Sequence, residues 1–167
     1  MIFSKLFKKK LLATSLLEGA FEIHCHVLPD VDDGVQTLDL ALDTLDKYVK
    51  LGYQGVVLTP HIMGEWPKNN RSFLTPRFEE LKKQAPSELQ LKLAGEYMLD
   101  HLFLGHLEKG ELLTFDGKHL LVETSYMAPS PIMDQQLYET NIAGYQPILA
   151  HPERYVYMNR AHYDKLK

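Results

Sequence analysis

Short apolar segments that end on a histidine or a carboxylate recur along this chain, and they constrain its fold more than any other feature. The segments alternate with stretches of helical periodicity, a pattern typical of α/β proteins with a parallel sheet. In such folds the carboxyl ends of the strands meet at one edge, where functional sites form. We therefore expect the residues at these ends to lie together: His24, His26, His61, Glu96, Glu123 and His151.

The predicted elements cover most of the chain after residue 20. Strands are expected at residues 21–26, 55–61, 89–96, 119–124 and 147–151. The first helix should begin after Thr37, whose hydroxyl suits an N-cap, and end at Gly52. Further helices are expected at residues 76–84, 100–109 and 131–141, and another should start after Arg154. Residues 62–74 should form a long loop.

The first strand carries a His-x-His pair. His24 and His26 are two residues apart, so both side chains point to the same face, about 7 Å apart along the strand. Asp32 and Asp33 follow in an Asp-Asp-Gly turn and offer carboxylate oxygens. A His-x-His pair also arises by chance, and an ordinary pair of histidines beside an Asp-Gly turn is the alternative. The series of metal-competent strand ends favours a metal site.

Composition narrows the class of function. A net charge of -4 and an isoelectric point near 6.0 argue against a nucleic-acid-binding protein. Cys25 is the only cysteine, which excludes an internal disulfide and is typical of a reducing compartment. A cysteine-based phosphatase needs an arginine six positions after the nucleophile, and Val31 occupies that position. Cys25 should instead point into the core, on the face opposite His24 and His26.

Residues 1–20 form a basic leader whose apolar stretches are interrupted. No small-residue cleavage site follows them, so we predict no signal peptide. No apolar run approaches the roughly 20 residues of a membrane span. These features predict a cytoplasmic protein without a transmembrane segment. An amphipathic segment that touches anionic lipid is the alternative for the leader.

Separated motifs between residues 21 and 155 occur in the order found in a known superfamily. They are His24-x-His26, Asp32-Asp33-Gly34, Thr59-Pro60-His61, Gly95-Glu96, Val122-Glu123 and His151-Pro152-Glu153-Arg154. In this order they resemble the PHP (polymerase and histidinol phosphatase) superfamily. The closest resemblance is to the manganese-dependent protein-tyrosine phosphatases of capsule and exopolysaccharide loci.

The resemblance implies a distorted (β/α)7 barrel around two to three divalent metal ions. The positions that match the metal ligands of the family are His24, His26, Asp33, His61, Glu96, Glu123 and His151. Asp32 is the alternative to Asp33, because adjacent turn residues are hard to separate by sequence. Arg154 matches an arginine that meets the substrate phosphate, and Glu123 can bridge two metals. Histidine and carboxylate ligands suit Mn²⁺, Fe²⁺ or Zn²⁺, and the resemblance favours Mn²⁺.

The family pattern continues past the position of Lys167. It adds further strands and a late Asp-x-His pair that completes the ligand set. We therefore expect residues 21–167 to form a PHP metal-dependent phosphatase domain that is incomplete at its C-terminus and lacks its last strands.

The resemblance also implies a reaction, the hydrolysis of phosphotyrosine on proteins. The expected substrate is the tail of a membrane-bound bacterial tyrosine kinase that controls capsule or exopolysaccharide synthesis. Two alternatives stay open. One is a PHP phosphoesterase for a small phosphorylated metabolite, and the other is an inactive truncated fragment that binds metal or a kinase tail. All three allow the chain to form oligomers.

Overall fold

Strands and helices alternate along the chain in the computed structural model, which describes residues 16–159 and Asp164. Strands β1–β7 of this part are Phe21–Cys25, Gly55–Leu58, His61–Ile62, Gln90–Leu93, Glu96–Met98, His119–Glu123 and Gln146–Leu149. Helices α1–α4 are Leu38–Lys50, Arg71–Gln84, Phe103–Lys109 and Met133–Ile142, and a 3-10 helix covers Pro152–Arg154. Most of the predicted leader lies outside the described residues. The prediction of a helix directly after Arg154 is wrong for residues 155–159, which contain a turn and no helix, and of the residues beyond them only Asp164, which is helical, is described. None of the described helices is long and apolar enough to cross a membrane.

The strands form two sheets in which every pair is parallel. One sheet has the order β1-β2-β4, and the other has the order β3-β5-β6-β7. This confirms the predicted α/β class with parallel strands. Seven parallel strands in two sheets are also consistent with the distorted (β/α)7 barrel that the resemblance implies.

The chain passes from the first sheet to the second at two places. Residues 55–61 and 89–96 were each predicted as one strand, and this prediction is wrong, because each is divided into two strands in different sheets. At the first division Pro60 has no N–H to give to a ladder, and its carbonyl accepts from Glu96 N at 3.1 Å. His61 and Glu96 consequently begin neighbouring strands and pair with each other in register.

The core lies between these sheets and the helices that cover them. All four residues of β2 are buried, as expected for a parallel strand covered on both faces. Helix α1 buries Ala41 and Leu45, and its N-cap Thr37 accepts a hydrogen bond from Leu40 N at 3.3 Å. The amphipathic pattern of the sequence therefore predicts this helix and its buried face correctly.

Three helices begin at positions other than those predicted. Helix α2 starts at Arg71, five residues before the predicted start at Pro76, because the Asn70 side chain accepts from Phe73 N and caps it. Helix α3 starts three residues late, because the Asp100 carboxylate accepts from Leu102 N and holds a turn there. Helix α4 starts at Met133, two residues after the predicted start at Pro131. A side-chain hydrogen bond lies at each of the three starts, since the Ser130 hydroxyl accepts from Ile132 N at 3.4 Å just before α4.

Two glycine-to-alanine substitutions should change stability in opposite directions. A Cβ at Gly95 would lie 2.5 Å from Ile62 Cδ1 and 3.0 Å from Tyr97 Cε2, and both neighbours are buried. We expect Gly95→Ala to lower the free energy of unfolding by about 1–3 kcal/mol. Gly105 lies inside α3 with no atom within 4 Å of a Cβ, so Gly105→Ala should raise it by about 0.5–1 kcal/mol. Urea denaturation of both variants measures these changes, and a stable Gly95→Ala variant would contradict the close packing.

Candidate metal centre

A fully buried carboxylate, Glu96, lies at the centre of a cluster of imidazoles. Its Oε1 is 3.0 Å from Nε2 of His24 and 3.0 Å from Nε2 of His151. Its Oε2 is 3.2 Å from Nε2 of His26 and 3.2 Å from Nδ1 of His61. The structure therefore brings four histidines from three separate motifs around one carboxylate.

Two further carboxylates join this cluster. Glu123 is buried at the end of β6, with Oε1 2.8 Å from Nδ1 of His61 and Oε2 3.6 Å from Nε2 of His151. Asp33 is more open to solvent, and its Oδ1 lies 3.5 Å from Nε2 of His61. All seven positions proposed as ligands from the sequence thus lie in one cluster.

The donor atoms of this cluster fit a bound cation. His61 Nδ1, Glu96 Oε2 and Glu123 Oε1 are buried and close together, yet none makes a hydrogen bond of acceptable geometry. Buried polar atoms normally have partners, and a divalent ion would supply one to all three. Within the described residues, three overlapping groups have donor atoms within 4.8 Å of one another: His24, His26 and Glu96; His26, Asp33 and His61; His61, Glu96 and Glu123.

The Asp-Asp-Gly turn gives its two carboxylates different surroundings. Asp32 is buried; its Oδ2 lies 2.8 Å from Nδ1 of His26 and accepts from His61 N at 2.9 Å. It therefore fixes the orientation of an imidazole that belongs to the cluster, as outer-shell carboxylates of metal sites do. Asp33 is the one of the pair that faces the donor groups. The turn needs glycine next, because a Cβ at Gly34 would lie 2.2 Å from His26 O.

Charge in the cluster favours a cation. Burial alone would raise the pKa of Glu96, but close contacts with His24 and His26 outweigh it and hold this pKa below its ordinary value. Burial alone would lower the pKa of His26, yet Asp32 and Glu96 raise it to about 10. Burial alone would lower the pKa of His61, but the neighbouring Glu123 carboxylate outweighs it, and this pKa is raised. These carboxylates therefore attract positive charge to the imidazoles around them.

The loop after β3 places an aromatic ring against the cluster. The indole of Trp66 stacks on the imidazole of His61, with ring centroids 5.2 Å apart and an interplanar angle of 7°. The buried Asn69 side chain ties this loop down by donating to His61 O and Val31 O. The sequence predicts a loop here, but the partner of Trp66 follows only from the three-dimensional structure.

A buried tyrosine hydroxyl links two strand ends that carry ligands. Tyr155 OH donates to Ala150 O at 2.9 Å and accepts from Thr124 N at 3.3 Å. Ala150 precedes His151, and Thr124 follows Glu123, so this hydroxyl joins the backbone beside both side chains. His151 itself has a φ of +29°, a conformation that costs about 1–3 kcal/mol and needs support from its surroundings. Sequence reasoning missed this role, because the contacts of Tyr155 with other strands are not visible in a local motif.

Arg154, the proposed phosphate-binding residue, lies in the 3-10 helix that follows His151. Its side chain is exposed, and its guanidinium carbon lies 4.8 Å from the ring centroid of Tyr126. The Tyr126 ring is in turn 5.7 Å from the imidazole of His151. Arg154 is therefore at the rim of the cluster and not among its buried donors.

Cys25 points away from the cluster, as predicted. It is buried, and its Sγ lies 3.6 Å from Val57 O on the neighbouring strand. Burial raises the pKa of this thiol to about 12, so it is protonated at neutral pH. Since the thiolate is the nucleophilic form of cysteine, Cys25 is unsuited to nucleophilic catalysis.

The fold and this cluster together define a parallel α/β protein with a candidate divalent-metal centre. A family described as "Capsular polysaccharide synthesis, CpsB/CapC" matches residues 20–167. The chain therefore belongs to the CpsB/CapC family, which confirms the resemblance found in the sequence.

Named relatives and a solved structure agree with this assignment. Tyrosine-protein phosphatase YwqE of Bacillus subtilis is 28% identical over 143 residues, which are 80% of this chain and 54% of YwqE. Tyrosine-protein phosphatase CpsB of Streptococcus pneumoniae is 31% identical over 142 residues, with 80% and 57% covered. A crystal structure from work on these two metal-dependent tyrosine phosphatases matches with a TM-score of 0.72 and 26% identity, covering 86% of this chain and 58% of that one. The chain spans about half the length of the relatives it matches.

Removal of the Tyr155 hydroxyl should destabilise the fold. Tyr155→Phe keeps the ring but leaves the amide of Thr124 and the carbonyl of Ala150 without this partner. We expect a loss of about 1–3 kcal/mol in the free energy of unfolding, measured by chemical denaturation. Tyr138→Phe is the matched control, because Tyr138 lies on α4 with 63% of its surface exposed. Equal stability of the two variants would contradict the linking role.

Proposed function

We propose that this chain is a metal-dependent phosphatase that hydrolyses phosphotyrosine on proteins. The observation that carries the proposal is the cluster of four histidines and two further carboxylates around Glu96, in a chain that belongs to the CpsB/CapC family. Its relatives YwqE and CpsB are named tyrosine-protein phosphatases. The chain spans about half of their length.

The metal ligands that we propose are His24, His26, Asp33, His61, Glu96, Glu123 and His151. The mixed nitrogen and oxygen donors suit Mn²⁺, Fe²⁺ or Zn²⁺, and Mn²⁺ is the first choice in the light of the PHP resemblance. When bound in such a site, divalent ions polarise a phosphate and lower the pKa of water so that it attacks phosphorus near neutral pH.

The side chains themselves would position the substrate. The planar guanidinium of Arg154 can donate two parallel hydrogen bonds to phosphate oxygens. Glu123 has both carboxylate oxygens directed at histidines of the cluster, an arrangement suited to bridging two metal positions. A tyrosine leaving group has a pKa of about 10, so little proton donation from the protein is required.

The proposed physiological substrate is the tail of a bacterial tyrosine kinase that controls capsule or exopolysaccharide synthesis, and the proposed location of the protein is the cytoplasm. The support is the family assignment to capsular polysaccharide synthesis.

A second candidate function is binding without turnover. Relatives of this chain are named tyrosine-protein phosphatases, so this alternative is the less favoured one. Under this alternative the chain would bind metal or a phosphorylated tail and leave the phosphoester intact. The two candidates make different predictions for hydrolysis but the same one for metal binding.

Metal binding should be visible through the single tryptophan of the chain. Because Trp66 stacks on His61, paramagnetic Mn²⁺ bound to this imidazole should quench its fluorescence, and EDTA should restore it. Glu96→Gln should weaken Mn²⁺ binding by at least about tenfold, since even outer-shell changes cost about 10–100-fold. Glu79→Gln, on the exposed side of α2, is the control. Unchanged quenching in Glu96→Gln would refute the metal site.

Hydrolysis should require the metal and Arg154 but not the thiol of Cys25. With Mn²⁺ present, we expect turnover of a phosphotyrosine peptide and little turnover of histidinol phosphate. Arg154→Ala should lower kcat/KM by about 10–100-fold, the worth of hydrogen bonds to a charged group. Arg77→Ala, in an exposed part of α2, and Cys25→Ala should leave kcat/KM unchanged.

The assay also separates the candidate functions. Preference for histidinol phosphate would favour a small-metabolite phosphoesterase. Metal binding with no hydrolysis of either compound would favour the non-catalytic function.

A further inference from the structure

An aromatic side chain lies between Arg154 and the metal cluster. The guanidinium of Arg154 is over the face of the Tyr126 ring at 4.8 Å, and the same ring is 5.7 Å from the imidazole of His151. His151 contacts the central carboxylate of Glu96 at 3.0 Å. Successive contacts therefore connect the exposed Arg154 guanidinium, through the rings of Tyr126 and His151, to the buried Glu96 carboxylate.

Tyr126 is held on both sides. Its carbonyl accepts a hydrogen bond from Val156 N at 3.0 Å, which joins the segment after β6 to the segment after Arg154. Its ring also lies 6.0 Å from that of Tyr155, which is buried and hydrogen-bonded to two strand ends. The ring is nevertheless 40% exposed, so it forms part of the accessible rim of the site.

The chemistry of this contact suits phosphate recognition. A guanidinium attracted to the face of an aromatic ring keeps its N–H donors in its own plane, where they remain available to a planar or tetrahedral anion. A long arginine side chain otherwise loses considerable rotamer entropy when it is fixed. A ring that already limits this freedom reduces the entropy lost when phosphate binds.

We propose that Tyr126 is a positioning residue that holds the Arg154 guanidinium at the rim of the metal cluster for a phosphate group. The proposal rests on the proposed function, because that function makes Arg154 the phosphate-binding residue. Tyr126 acts through Arg154 and does not itself contact phosphate. The aromatic face is the property that matters, so phenylalanine should replace tyrosine but an aliphatic side chain should not.

Isothermal titration calorimetry tests this role. It measures the binding of phosphate to the 167-residue chain after saturation with Mn²⁺. Inorganic phosphate is the ligand, so that no aromatic group of a substrate contributes. We expect Tyr126→Leu to raise the Kd about two- to fivefold, the range that an exposed cation–π contact supports. Tyr126→Phe should keep the wild-type Kd, and Tyr138→Leu, on exposed α4 surface, is the matched control.

A double-mutant cycle shows whether Tyr126 acts through Arg154. In an Arg154→Ala background, Tyr126→Leu should cause no further rise in the Kd. A rise of the same size in both backgrounds would overturn the positioning role, and so would an unchanged Kd in Tyr126→Leu alone. Loss of wild-type affinity in Tyr126→Phe would show that the hydroxyl matters and would also overturn it.

The calorimetric test is independent of turnover. If the wild-type chain binds phosphate in the expected pattern but hydrolyses no phosphotyrosine peptide, the proposed function fails and the role of Tyr126 stands. If the chain hydrolyses the peptide but Tyr126→Leu binds phosphate normally, only the role of Tyr126 fails. A wild-type chain that binds no phosphate overturns the role of Tyr126.

Discussion

The site depends on the burial of one charge, the carboxylate of Glu96. A buried carboxylate without partners costs several kcal/mol, and removal of a partner from a buried pair is strongly destabilising. Four imidazoles contact Glu96, and they come from β1 and its following turn, from β3 and from the end of β7. The strands must therefore converge at this point for the charge to be tolerated, and the same convergence creates a set of donors for a metal.

The division of the strands between two sheets makes this convergence possible. β2 and β4 lie in the first sheet, whereas β3 and β5, which follow them directly, lie in the second. Their pairing sets His61 beside Glu96. Here the chain crosses between sheets immediately before each of these two residues, so both face the histidines of the first sheet.

The supporting residues, like the donors, lie on several separate segments of the chain. Tyr155 joins the backbone next to Glu123 and His151, Asp32 orients His26, and Asn69 holds the loop that carries Trp66. Such contacts fix the rotamers and strand ends on which a metal site depends. They also explain why exposed Arg154 and Tyr126 can occupy defined places at the rim, since the turn that carries Arg154 is tied to the core through Tyr155.

The sequence alone determined the parallel α/β class, the family and the residues that meet in the cluster. The class and the strand-end residues follow from local periodicity and from side-chain types, which are properties of short segments, whereas the family follows from the resemblance of separated motifs in their order. Only the tertiary structure decided that residues 55–61 and 89–96 are divided between sheets, that Asp33 and not Asp32 faces the donors, and that Tyr126 and Tyr155 support the site. The physical reason is that these features depend on hydrogen bonds and ring contacts between distant segments, for which a sequence pattern has no local signal.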